Sequence, residues 1–250
     1  MPYLGSTPAR GLVGTANIDD NAVTLAKLAG GTDGNIISFD SSGDPVAVAV
    51  GTSGHFLKSQ GAGSQPVFAD ASSPLEFVSS STASSSASVA LTGIDNTADT
   101  WMVLIEGANV QTDAKQPWIR TSSDTSSHSY DSGSSDYCWS FNSAYGSSDT
   151  GYNKHDTADS EIQMGKDALY PGNDATSALS ARVFIHNPSV TTYHTTISFD
   201  CIFQGTSQES HRTFGSGQRL AAEAVTAIQF LMESGNFDTG KFSLFKIKHA

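Results

Sequence analysis

Basic residues are scarce in this chain. It carries 13 Lys and Arg against 25 Asp and Glu, a formal charge of −12. An acidic surface repels a phosphate backbone, so nucleic-acid binding by charge is excluded, as is docking to an anionic membrane through a basic patch. Long apolar runs are also missing. The longest, Trp101 with Met102-Val103-Leu104-Ile105, falls far short of the ~20 residues a helix needs to cross a bilayer. Residues 1–14 hold one Arg and no apolar core, so no signal peptide is expected. Cys138 and Cys201 are the only cysteines. Two widely spaced thiols make neither a disulfide framework nor a zinc site, and both read as half-buried free cysteines on strands. What the chain has instead is 38 Ser, 23 Thr and 23 Gly, a composition of strands and turns rather than helices.

Large apolar residues are sparse before residue 74 and recur in aromatic and β-branched runs after it. This divides the chain into an extended segment 1–16, a helix-plus-repeat region 17–74 and a domain 75–250. Within 17–29, Ile18, Ala22, Leu25 and Ala29 are spaced four, three and four, the spacing of a coiled-coil seam. Asn17 suits the N-cap, Asp19 and Asp20 the first turn and Lys27 the last, and Gly30-Gly31 ends the pattern. A helix of ~12 residues is marginal alone in water. It either packs on the later domain, or forms a seam between copies of the chain through Ile18, Ala22 and Leu25.

Residues 31–70 hold a twenty-residue repeat, GTDGNIISFDSSGDPVAVAV followed by GTSGHFLKSQGAGSQPVFAD. Gly31, Thr32, Gly34 and the pair Ile36-Ile37 recur as Gly51, Thr52, Gly54 and Phe56-Leu57, and Pro45-Val46 recurs as Pro66-Val67 with one inserted residue. Each copy reads as a strand, a Gly/Asp/Ser turn and a second strand after Pro. A hairpin so small is not stable alone, and two copies cannot enclose a core. Either the C-terminal domain covers them, or identical chains wrap around one axis through Ile36, Ile37, Phe56 and Leu57.

From residue 75 onward we expect strands at 75–79, 87–92, 101–107, 117–120, 136–142, 160–164, 180–186, 192–203, 223–233 and 241–247, with 218–223 open between strand and helix. Tyr137, Trp139 and Phe141 alternate with polar neighbours, as do Ile197, Phe199, Cys201 and Phe203. Such alternation marks antiparallel sheets wet on one side. The fold class expected is mainly β: a short N-terminal helix, an intertwined hairpin shaft, and a C-terminal antiparallel β-sandwich, jelly-roll-like. The closing strand KFSLFKI is apolar on both faces, so it is either central or meets another subunit.

Motifs for chemistry are few. There is no phosphate-binding loop and no G-x-S-x-G elbow. The histidines are scattered without metal-ligand spacing, and neither a metal nor a cofactor is expected. Glu106 and Asp200 sit on apolar strands, where the wet face is the simpler reading. In 149–159, DTGYNKHDTAD, His155 stands beside Asp156 and near Tyr152 in what reads as a polar loop. Trp118, Tyr130, Tyr145, Tyr152 and His155 lie in or beside the Ser/Asp/Gly-rich stretches 108–136 and 143–160. Rings flanked by hydroxyls and carboxylates suit stacking on sugars, though rings at loop roots also serve as core caps.

The segment NAVTLAKLAGGTDGNIISFDSSGDPVAVAVGTSGHFLKSQGAGSQPVF resembles the N-terminal shaft of many bacteriophage fibre proteins, mostly tail fibres. Residues 224–247, AVTAIQFLMESGNFDTGKFSLFKI, resemble the closing strands of β-sandwich domains in the same group of virion proteins. The resemblance implies a virion structural protein, a homotrimer whose N-terminus grips other virion proteins and whose C-terminal domain projects from the particle. It transfers no active-site residue. Three readings follow: a trimeric tail fibre binding a host-surface glycan or protein, a head fibre or capsid decoration protein, and a polysaccharide-degrading enzyme. The first is preferred, and the enzyme is the least favoured, because two repeat copies leave no room for the long groove of stacked β-coils that enzymatic tailspikes use.

Overall fold

The computed structural model describes residues 14–19, 30–71, 73–145, 148–165, 171–207 and 209–248. They fall into two compact units, Met1–Ser72 and Ser73–Ala250, and nearly all regular structure in both is strand. The boundary lies within two residues of the break in composition.

In the first unit the repeat folds as two hairpins. β1 (Ile36–Phe39) pairs antiparallel with β2 (Pro45–Val48), and β3 (Phe56–Lys58) with β4 (Val67–Ala69). Each hairpin follows the same turn. The Asn35 N–H donates to the Thr32 carbonyl at 3.1 Å, and the His55 N–H donates to the Thr52 carbonyl at 3.0 Å. Gly34 and Gly54 take φ of +80° and +94° there, which side chains disfavour. Between β1 and β2, the Asp40 carboxylate caps the loop by accepting from the Ser42 and Asp44 N–H groups at 2.8 and 3.0 Å. Ahead of the hairpins, Thr15–Asn17 form a single 3-10 turn. The helix expected over 17–29 lies, beyond Asp19, outside the described residues.

The second unit is a sandwich-like pair of antiparallel sheets. Its strands are β5 (Leu75–Thr82), β6 (Ser88–Thr92), β7 (Thr100–Val110), β8 (Pro117–Ser122), β9 (Tyr137–Tyr145), β10 (Ser148–Asp159), β11 (Ile162–Gln163), β12 (Leu179–His186), β13 (Thr196–Gln204), β14 (Ser210–Arg219), β15 (Ala227–Met232) and β16 (Phe237–Ile247). The large sheet runs β10-β9-β14-β13-β12-β7-β16-β5, and the small one β11-β8-β15-β6. Period-2 alternation sends Trp101, Val103 and Ile105, Val183 and Ile185, Ile197 and Phe199, and Phe242 and Leu244 inward from the large sheet. Val89, Leu91, Ile119, Ile162, Ile228 and Phe230 meet them from the small one in one buried cluster. In β7 the inward set skips from Ile105 to Ala108, with a register shift opposite Leu179–Ala181 and Gly107 at φ +58°. This is a bulge whose extra residue re-aims the strand.

Ten strands were expected here and twelve form among the described residues. The polar stretch 143–160, expected as a loop, instead holds the end of β9 at 143–145 and, at 148–159, β10, an edge strand paired along β9. β14 was also missed. Strand β13 begins at Thr196 rather than 192 and β15 at Ala227 rather than 223; of 218–223, open between strand and helix, 218–219 close β14 and 220–223 are irregular. The closing strand β16 lies between β7 and β5, so its apolar inner face is explained by a central position.

Several buried polar groups lock the sandwich. The Tyr137 hydroxyl accepts from the Thr121 N–H at 2.8 Å and donates to the Asp131 carbonyl at 3.3 Å. Burial raises this phenol to about 12, against the opposing pull of the Thr121 contact. Arg219, almost fully buried, donates to Asp131 at 2.6 Å and Glu223 at 3.0 Å. It thereby ties the segment after β8 to the one after β14. Both cysteines are free, Cys138 half-buried and Cys201 fully buried. Burial pushes the Cys201 thiol well up, with the Asp200 charge adding to the shift.

Candidate functional site

The five residues expected to bind a ligand are dispersed over the sandwich. Trp118 projects from the outer face of the small sheet, with the Arg120 guanidinium 6.0 Å from its ring centroid. Arg120 in turn donates to the Ser160 carbonyl and to Glu161 Oε2, at 3.2 and 3.1 Å. Tyr130 lies between β8 and β9, half-buried, 6.4 Å from the His128 ring, and burial raises its phenol. Tyr145 ends β9, its backbone paired with Ser148 and His211. Tyr152 and His155 lie on β10, opposite Ser143 and Ser140. Three residues apart on a strand, they face opposite sides. A shallow depression of about 340 Å³ is lined by His155 together with Cys138, Ser140, Ser216 and Gln218, and holds none of the other four. Among the described residues no group of three or more His, Cys, Asp or Glu is placed to hold a metal ion.

Two surfaces stand out instead. The first is the hairpin unit. Ile37, Phe39 and Phe56 are each 64% exposed. Ile18, Ile36, Leu57, Val50 and Val67 are exposed as well, and Val48 is the one buried hydrophobic among the described residues of the unit. Of the expected oligomer-interface residues, Ile18, Ile36, Ile37, Phe56 and Leu57 are therefore uncovered in the single chain. Ala22 and Leu25 lie outside the described residues. Each such side chain gains about 1.5–3 kcal/mol on full burial, so the unit carries an apolar surface without the core to match it.

The second is the outward face of the large sheet, which sequence reading had treated as wet. At its centre Asp200 accepts from Arg212 through Nε and Nη2, at 2.8 and 3.0 Å, and from Arg182 at 2.9 Å. These bonds, the one from Arg212 foremost, hold the Asp200 carboxyl below the usual range. The Arg212 guanidinium also stands 5.7 Å from the Phe214 ring centroid. Beside the cluster is a depression of about 330 Å³ lined by Leu104, Glu106, Arg182, Asp200 and Ile202. Glu106 is solvent-exposed as expected. Toward β5, Phe77 meets Phe245 edge to face at 5.6 Å. The clue in the sequence was the two-sided apolarity of KFSLFKI; the arginine cluster, assembled from three strands, left no local signal.

No protein-family model, curated protein or solved structure matches the chain. Fold and surfaces define a two-unit, almost all-β protein, with paired hairpins ahead of a sandwich-like domain.

Proposed function

We propose that this chain is the subunit of a homotrimeric bacteriophage tail fibre, a structural rather than a catalytic component of the virion. In this reading residues 1–16 grip another virion protein. The helix-plus-repeat region makes a shaft from three intertwined chains, and the sandwich domain projects to bind a host-surface receptor. The observation that carries the reading is the hairpin unit, whose twenty-residue repeat presents the same apolar positions twice and leaves them open. Two small hairpins cannot supply a core, and three chains around an axis bring three copies of each apolar pair together. The shaft-like sequence at 21–68 supports the same assembly.

Light scattering after size exclusion tests it. A mass near three times 26.1 kDa is expected. Ile37→Asp with Phe56→Asp should lower that mass while leaving the sandwich domain's circular dichroism intact. A monomer at micromolar concentration, or a trimer indifferent to the double substitution, refutes the shaft. On particles, antibodies to the sandwich domain should label tail-fibre tips; labelling of the capsid shell would assign the chain to the head instead.

A further inference from the structure

We infer that the outward face of the eight-stranded sheet is the surface through which each sandwich domain meets a second copy of this chain. The inference rests on the trimeric reading and names the face involved.

The face has two halves of different chemistry. Across β5, β16, β7 and β12, one register row runs Phe77, Phe245, Met102 and Phe184. The neighbouring row opens with the pair Leu75 and Ile247. Phe77 is 55% exposed and Leu75 41%, while the other four are partly exposed. The small sheet packs on the opposite side, so the sandwich's own core leaves this apolar half open. Across β12, β13 and β14 the same face carries Ile202 and Phe214, both about half exposed, around Arg182 and Arg212. The two arginines share the single carboxylate of Asp200. Glu106, also exposed, lines the depression beside Arg182 and Asp200. Exposed aromatic and aliphatic groups beside arginines are the composition of protein contact centres.

Continuity selects the occupant. β5 begins at Leu75, three residues past the end of the hairpin unit at Ser72. The strand that bears Leu75 and Phe77 is thus tethered directly to the hairpins that the trimeric reading gathers. A short tether holds neighbouring domains at an effective concentration on the order of millimolar, so a patch of modest intrinsic affinity stays occupied. A cyclic trimer also makes heterologous contacts, in which one region of a subunit meets a different region of the next. The apolar half and the arginine half provide two such regions on one face.

Hydroxyl-radical footprinting and sedimentation equilibrium on the full chain test this. Phe77 and Phe214 should oxidise several-fold more slowly in the native trimer than in the Ile37→Asp/Phe56→Asp variant. Phe77→Lys, at an exposed position, should raise the trimer dissociation constant roughly tenfold or more with unchanged circular dichroism. A native trimer in which Phe77 oxidises as fast as in the variant, and which Phe77→Lys does not weaken, overturns the face and leaves the shaft reading standing. A monomeric native chain removes the shaft reading, and this inference with it.

Discussion

Gly217 offers the sharpest test of how the two sheets meet. It lies on β14, in register with Ile197 and Trp139, and is turned inward. A Cβ placed there falls 2.7–2.8 Å from three side-chain atoms of Ile162, which is fully buried on β11 of the opposite sheet. Carbon atoms prefer about 3.5–4.0 Å, so one partner must give way by close to 1 Å. Ile162 has little freedom to do so, because its backbone is paired with Ile119 at the sheet edge. Gly217→Ala should therefore cost about 1–3 kcal/mol by overpacking. In a domain of this size that lowers the melting temperature by roughly 3–10 °C. Ile162→Ala alone should cost about 2–5 kcal/mol through the cavity it leaves. Together the added methyl occupies part of the vacated space, so the double variant should be at least ~1 kcal/mol better than the sum. Urea denaturation of the four proteins measures this directly. Additivity within about 0.5 kcal/mol would mean that Gly217 and Ile162 do not touch, and would refute the packing of β14 against β11.

Two further outcomes concern buried charge and acid. Arg219→Met should destabilise the sandwich by about 2–4 kcal/mol, because it strips the partly buried Asp131 carboxylate of a partner held at 2.6 Å; a denaturation midpoint within error of the parent would refute that anchoring role. Desolvation holds His186 below its ordinary value of 6.5, and it does the same to His211 against the opposing pull of Glu209. The unfolded chain then binds more protons just below pH 6.5, so stability is flat above about pH 7 and falls as the pH drops through 6.5. His186→Gln with His211→Gln should flatten urea midpoints between pH 7 and 5, and an unchanged slope would exclude these two imidazoles as its source. The contribution of Asp200, also depressed, is lost only nearer its ordinary value of 3.8.

What was legible in the sequence depended on where each segment's partners come from. The hairpins were readable because a repeat fixes phase: Gly34 and Gly54, and the apolar pairs after them, recur at one interval. β9 and β13 were readable because burial on the inner face imposes a two-residue period, and β7 and β16 because their apolar runs stand out from the polar stretches around them. β10 was not, since an edge strand half of whose residues are Ser, Asp, Gly or Asn takes its conformation from hydrogen bonds to β9 rather than from its own propensity. β14 failed for the opposite reason. Its Gly215 and Gly217 look like turn residues, yet they are glycines because Phe141, Phe199 and Ile162 fill the space a side chain would need. The candidate ring residues were picked one by one, and their dispersal over two sheets and a loop could not be seen without the topology. The Arg182–Asp200–Arg212 cluster was invisible for the same reason, each member coming from a different strand.

The position of β16 has a consequence for how the domain is made. The strand between β5 and β7 is supplied by residues 237–247, which follow every other strand among the described residues. Until those residues have been synthesised, β5 and β7 have no partner along their facing edges, and Phe242 and Leu244 are absent from the core. The early strands must wait, unpaired and with apolar surface open, while the middle of the chain is produced. Long-range closure of this kind is slow and exposes strand edges to the wrong partner. Any copies emerging near one another would then face a choice between pairing within a chain and pairing between chains, and the arrival of β16 decides it.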